Sequence, residues 1–126
     1  MANDSKGQRV LIVDDEQMIA DTLSQILNAS GFNAKAVFSG ELAVSAAQEF
    51  QPEILLTDVI MRGVSGIDVG VAISRMLPDC RVILFSGQAS TADLLDRAQA
   101  LGYRFEIIAK PIHPRELLKA LNSPRS

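Results

Sequence analysis

The chain has 126 residues, 48% of them apolar and 21% charged, which suits one compact domain with a real core and argues against a disordered segment or two ordinary domains. Twelve basic against fifteen acidic residues give a net charge of −3, with no Lys/Arg block, so direct nucleic-acid binding by this chain is not expected. A single cysteine, Cys80, excludes an internal disulfide and a multi-cysteine zinc site, and the lack of a signal core or of about 18 consecutive apolar residues predicts a protein of the reducing cytoplasm, neither exported nor membrane-spanning.

The domain is expected over residues 8–122, with polar, flexible tails at 1–7 and 123–126. Val10-Leu11-Ile12-Val13 opens it as a short apolar run that reads as a strand buried on both faces. Ile19, Thr22, Leu23, Ile26 and Leu27 then recur at helical spacing, and Gly31 ends that helix. Asn33 to Phe38 alternates and carries Lys35 in its middle, which predicts an edge strand. Leu42, Ala43, Ala46, Ala47 and Phe50 give a second helical face, closed by Pro52. Ile54-Leu55-Leu56 is the third strand, and a looser helix runs from Ile67 to Met76 before Pro78. Val82-Ile83-Leu84-Phe85 is the fourth strand, and Leu94, Leu95, Ala98 and Leu101 form the fourth helix before Gly102. Ile107-Ile108-Ala109 is a fifth, weaker buried strand; Leu117, Leu118 and Leu121 follow on a helix opened by Pro114, with Glu116 in its first turn.

Five β-α units imply an α/β fold with a parallel sheet and right-handed crossovers, in the order 2-1-3-4-5. In such sheets ligands bind beyond the carboxyl ends of the strands, where the winding reverses. Asp14 and Asp15 follow the first strand, Thr57 and Asp58 the third, Ser86 the fourth, and Lys110 with Pro111 the fifth. Three carboxylates gathered there repel one another unless a cation intervenes, and an all-oxygen set with room for water suits Mg²⁺. Lys110 adds a point charge and Ser86 a hydroxyl, which with a hard ion are parts for holding a phosphoryl group; a carboxylate can also be the nucleophile that carries it. Taken singly, Asp14-Asp15-Glu16 could cap a helix and Asp58, Ser86-Gly87 or Lys110-Pro111 could mark turns. Their shared position after buried strands favours a site.

The motifs Leu11-Ile12-Val13-Asp14-Asp15-Glu16, Leu55-Leu56-Thr57-Asp58-Val59-Ile60-Met61 with Gly66, Phe85-Ser86-Gly87 and Ala109-Lys110-Pro111 resemble those of receiver domains of two-component response regulators. The resemblance covers roughly Arg9 to Leu121 and implies a flavodoxin-like (βα)5 three-layer sandwich. It implies that Asp58 takes a phosphoryl group from a phosphohistidine on a sensor histidine kinase or phosphotransfer protein. Asp15 would then ligate Mg²⁺ directly and Asp14 mainly through water, and the Ile60 carbonyl would complete the protein ligands. Ser86 and Lys110 would hold phosphoryl oxygens, Ser86 moving to do so, and a cis Lys110-Pro111 bond would aim the lysine. The fourth helix, fifth strand and fifth helix would change shape for a downstream protein of unknown identity. On this reading the chain is not an enzyme in its own right.

Two positions depart from the pattern: Met61 is followed by Arg62-Gly63 rather than proline, and Ile107 stands where an aromatic switch residue is usual. Tyr103 and Phe105 are the nearest aromatic alternatives. Ile60 and Gln88 flank the path of an attacking water, and an apolar Ile60 predicts a long-lived phosphoryl state. His113 reads as a polar helix cap, Cys80 as a small buried group, and Met18, Met61 and Met76 as filler. Two other functions compete: a binding module that no longer needs phosphorylation, and a phosphatase with an aspartyl nucleophile, which would want Asp-x-Asp where this chain has Asp14-Asp15-Glu16.

Overall fold

Runs of β-branched and large apolar residues form strands that bury both faces, and here they build β1 (Arg9–Val13), β3 (Ile54–Asp58) and β4 (Arg81–Ser86). A computed structural model describes residues 7–87 and 91–124 of the chain. The remaining elements are α1 (Gln17–Ala29), β2 (Asn33–Val37), α2 (Gly40–Phe50), α3 (Gly66–Met76), α4 (Thr91–Ala100), β5 (Glu106–Ala109) and α5 (Pro114–Asn122). The five strands are parallel in the order β2-β1-β3-β4-β5, as the alternation of strand and helix predicts. Among the described residues no helix is long and apolar enough to cross a membrane.

Strand side chains alternate between faces, so the sheet feeds two separate cores. Leu11, Val13, Leu55, Val82 and Leu84 pack with Ala43 and Ala47 of α2, Val69 and Ile73 of α3, and Ala98 of α4. Val10, Ile12, Ile54, Leu56, Ile83 and Phe85 pack on the other side with Ala20, Leu23 and Leu27 of α1 and Leu117 and Leu121 of α5. Each fully buried large side chain of this kind contributes about 1.5 to 3 kcal/mol. Gly7 N–H donates to the Gly31 carbonyl, and the Ser123 carbonyl accepts from Arg81, so both ends of the described chain are tied to the domain.

Some helix faces differ from their sequence pattern. On α1 the buried residues are Ala20, Leu23 and Leu27, while Thr22 is exposed and Ile19 and Ile26 are half-buried. The apolar stripe is wider than the contact, and part of it is left at the surface. Leu42 and Leu101, expected in the core, are exposed: Leu42 lies on the outer side of α2, whose Gly40 and Ala43 are buried, and Leu101 follows the end of α4. The side chain of Leu94 lies outside the description. Helix α2 stops at Phe50, where Gln51 adopts a left-handed conformation (φ 54°) and donates its N–H to Ala47; Pro52 follows an end already made. Gly31 (φ 98°) does end α1 by the left-handed route expected of it.

Both sheet edges are half-covered. In β2, Asn33 and Lys35 are exposed while Ala34 and Ala36 lean on the α1 side, as an alternating edge strand requires. Strand β5 was expected to be buried, but its residues alternate between half-buried and exposed, and Ile107 is 49% exposed. An edge strand pairs on one side only, and β5 pairs only with β4.

Candidate functional site

Parallel register decides which side chains meet at the carboxyl edge. Val13 stands beside Thr57, Asp58 beside Phe85, and Ser86 beside Ala109. The residues that follow β1 and β5, Asp14-Asp15 and Lys110, therefore flank Asp58 at the end of β3. Asp14, Asp15 and Asp58 each offer a carboxylate oxygen within 4.8 Å of the others. Lys110 Nζ donates to Asp58 Oδ2 at 3.2 Å and lies 5.3 Å from the centre of the Phe85 ring. The Lys110-Pro111 peptide bond is cis, as the family resemblance implies, and Lys110 N–H donates to the Ser86 carbonyl at 3.2 Å. Ser86 itself is buried at the end of β4.

The backbone around Asp58 is closely built. Thr57 Oγ1 donates to the Asp58 carbonyl at 2.9 Å. A Cβ at Gly66 would lie 1.9 Å from that same carbonyl oxygen, so the first residue of α3 has to be glycine for the helix to sit there. Ile60, in the loop between β3 and α3, is exposed two residues beyond Asp58. Gln88, the other residue placed beside the water path, lies outside the described residues.

Asp14 is 0% exposed. Its Oδ1 accepts the Glu16 N–H at 2.9 Å, and its Oδ2 is buried with no hydrogen-bond partner among the described residues. Burial, more than the neighbouring Asp58, pushes its carboxyl up from 3.8 to about 6; the Glu16 N–H and Lys110 act against the rise. Asp58 is also raised, again chiefly by burial, although Lys110 holds it down by charge and by its hydrogen bond. The cap of α1 is Glu16, whose side chain makes no capping bond. The acids after β1 therefore do not serve as a helix cap. An oxygen left unpartnered in a cluster of three acids suits an all-oxygen divalent-ion site, so the donors present fit Mg²⁺.

One participant was not foreseen. Asp15 Oδ2 accepts the main-chain N–H of Arg62 at 2.9 Å and pairs with its Nε at 3.5 Å. The signal available in the sequence was Arg62's place four residues beyond Asp58, in a loop that returns to the same edge. Among the other singled-out residues, His113 does stand at the N-cap of α5, but its side chain makes no capping bond and so does not act as the polar cap expected. Cys80 is buried, Met61 and Met76 pack against the core, and Met18 is exposed. Tyr103 and Phe105 stack with centroids 5.8 Å apart ahead of β5. Phe105 packs beside Gly70 and Tyr103 accepts from Arg75, so both rings sit upstream of Ile107, which pairs with Leu84.

Residues 10–122 match the family described as response regulator receiver domain. The chain belongs to that family. It is 32% identical over 117 residues to the chemotaxis protein CheY of Thermotoga maritima, covering 92% of this chain and 96% of that one. It is 30% identical over 118 residues to the DNA-binding response regulator MtrA of Mycobacterium tuberculosis, covering 91% of this chain and 49% of that protein. The chain thus spans about half the length of MtrA. Among solved structures, the response regulator TrrA of Thermotoga maritima in complex with Mg²⁺-BeF superposes with a TM-score of 0.77 at 26% identity, covering 90% of this chain and 96% of that one. The flavodoxin-like fold is shared with the solved structure, and receiver domains bind Mg²⁺ through an acidic pocket, of which this chain has a cluster of aspartates.

Proposed function

We propose that this receiver domain is a phosphoacceptor switch in which Asp58 carries the phosphoryl group. The observation that supports it most is the constellation at the sheet edge: a buried carboxylate held by Lys110 at 3.2 Å, beside two further acids, one with an unpartnered oxygen. Asp58 Oδ attacks the phosphorus of a phosphohistidine on a sensor histidine kinase or phosphotransfer protein. The new O–P bond forms as the P–N bond breaks, and the imidazole leaves with the electron pair and is protonated. Asp14, Asp15, Asp58 and the Ile60 carbonyl would hold Mg²⁺, which when bound supplies the positive charge that lets an anionic phosphoryl group approach. Lys110 then donates to a phosphoryl oxygen in place of Asp58, and the Ser86 hydroxyl donates to another. That TrrA, which shares this fold, forms a complex with Mg²⁺-BeF supports the reading of a divalent-ion site in this chain.

The apolar residues that α1 leaves at the surface form a groove with the turn after β5, lined by Ile19, Ile26, Pro111 and Ile112 beside Lys110. That groove suits the apolar face of the phosphodonor's helix and would bring the phosphohistidine to Asp58. The added charge of about −1.5 to −2 is then read out through α4, β5 and α5 by a downstream protein. Ile60 offers no group to orient a hydrolytic water, so the phosphoryl state is long-lived.

The test is to incubate the protein with Mg²⁺ and a small phosphodonor and to weigh it intact. One phosphoryl adduct is expected, absent with EDTA and in Asp58→Asn. No adduct from any small donor or cognate kinase would sink the proposal. The same adduct should decay faster in Ile60→Asn; an unchanged decay removes the basis of the lifetime claim alone.

A further inference from the structure

Leaving Asp58, the loop between β3 and α3 places Arg62 against Asp15, just beyond the end of β1, before it turns at Gly63 (φ 82°). There two donors of one residue converge on one oxygen: Arg62 N–H and Nε both face Asp15 Oδ2, at 2.9 Å and 3.5 Å. The Arg62 side chain is 90% exposed and that of Asp15 19%. The main-chain bond anchors the loop for any residue at 62 but proline. The guanidinium adds something separate, a positive charge placed against one of the three acids.

The acidic cluster therefore faces two side-chain cations. Lys110 pairs with Asp58 and Arg62 with Asp15, whereas Asp14, among the described residues, makes no ion pair and feels Lys110 only at longer range. A divalent ion that uses Asp15 must either take the oxygen to which Arg62 donates or settle beside a guanidinium charge, and both weaken its binding. Proline, usual after the methionine in this family, could supply neither the N–H nor the charge.

We propose that Arg62 is a resident counter-cation of the acidic site, which competes with the divalent ion for Asp15 and so sets the ion concentration at which the site loads. The proposal rests on the reading of the acids as a Mg²⁺ site. Linkage makes the relation reciprocal: Mg²⁺ frees the guanidinium as it binds, and a tighter Arg62–Asp15 pair would weaken Mg²⁺. Because the pair is exposed, the expected effect is modest, about two- to five-fold in Mg²⁺ affinity, and shrinks as added salt screens the charges.

Isothermal titration with Mg²⁺ on the whole chain tests this, using Arg62→Gln, which keeps the main-chain bond and length while removing the charge. Arg62→Gln should bind Mg²⁺ about two- to five-fold more tightly than the unaltered protein, with the gap narrowing in about 0.5 M KCl, roughly three times physiological ionic strength. Arg62→Lys, which keeps a charge without the planar fork, should fall between them. Equal or weaker binding by Arg62→Gln, with Asp15→Asn abolishing the signal, overturns the role of Arg62 and leaves the metal site standing. No Mg²⁺ binding by either protein overturns the metal site and the proposal with it.

Discussion

At the amino edge of the sheet, Arg81 opens β4 and donates four hydrogen bonds: Nε and Nη2 reach the Glu106 carboxylate at 2.7 Å each, Nη1 the Ser123 carbonyl at 3.0 Å and Nη2 the Ala120 carbonyl at 3.1 Å. It thereby joins β4 to β5 and satisfies carbonyls at the end of α5, where a cation also opposes the helix dipole. At the carboxyl edge Asp14 is buried more deeply than Arg81, yet one of its oxygens has no partner among the described residues and burial raises its carboxyl. The same sheet thus completes its buried charge at one end and leaves it in excess at the other. A charge that is fully paired holds the fold together; one that is under-paired keeps a place for something that comes and goes.

The largest expected effect tests the paired end. Arg81→Met removes the donor to the Glu106 carboxylate and to the Ser123 carbonyl, leaving the Ala120 carbonyl the Ser123 N–H, and should destabilise the protein by about 3 kcal/mol in urea unfolding. Replacing both partners, Arg81→Met with Glu106→Leu, should recover most of that loss, since a buried pair often contributes little beyond an apolar replacement. Phosphorylation of Asp58 should survive in the double variant. A loss below about 1 kcal/mol in the single variant would mean that Arg81 behaves as a surface pair, and the contrast between the two ends would fail.

The paired end could not be read in the sequence, and the under-paired end could. Asp14, Asp15, Asp58, Ser86 and Lys110 each follow a run of apolar residues, so their convergence needs only the strand order. Arg81 and Glu106 lie 25 residues apart and meet because β4 and β5 run parallel in a register that no local pattern states. Arg62 and Asp15, 47 apart, meet through the path of a loop. The central strands were legible because burial on both faces leaves a continuous apolar run. The exposure of β5, itself legible as a strand, and of the outer part of the α1 stripe was not, because apolar residues at an edge or beside a groove look the same in sequence as buried ones.

The next effect in size tests the under-paired end. Raising the Asp14 carboxyl from 3.8 to about 6 corresponds to about 3 kcal/mol against the folded state once the group is ionised. Between about pH 4 and 6 the folded protein holds a proton that the unfolded chain has already released. The contribution of Asp14 therefore falls as the pH climbs through that window, opposite to that of a salt-bridged acid. Asp14→Asn keeps an oxygen to accept the Glu16 N–H and should stabilise the metal-free protein at pH 7 by about 2 to 3 kcal/mol, with no gain at pH 4. Urea unfolding in EDTA across this range measures the difference between the two proteins. A variant no more stable than the parent at pH 7 would show that Asp14 is satisfied after all.

The smallest effect separates an ion site from a mere cluster of acids. Asp58 is raised by burial but held down by Lys110, so Asp58→Asn relieves the acids while depriving the lysine of its partner. The gain without metal should be no more than about 1 kcal/mol. Mg²⁺ should then reverse the order. An ion that binds only the folded protein stabilises it by about 2.7 kcal/mol at a hundred times its dissociation constant, and a variant lacking one ligand needs more ion for the same gain. Melting curves of the two proteins across a Mg²⁺ titration should therefore cross, Asp58→Asn being the more stable at the start and the parent at the end. If the curves run parallel, the excess charge at the carboxyl edge is not a place kept for an ion, and the two ends differ only in how well their charges are packed.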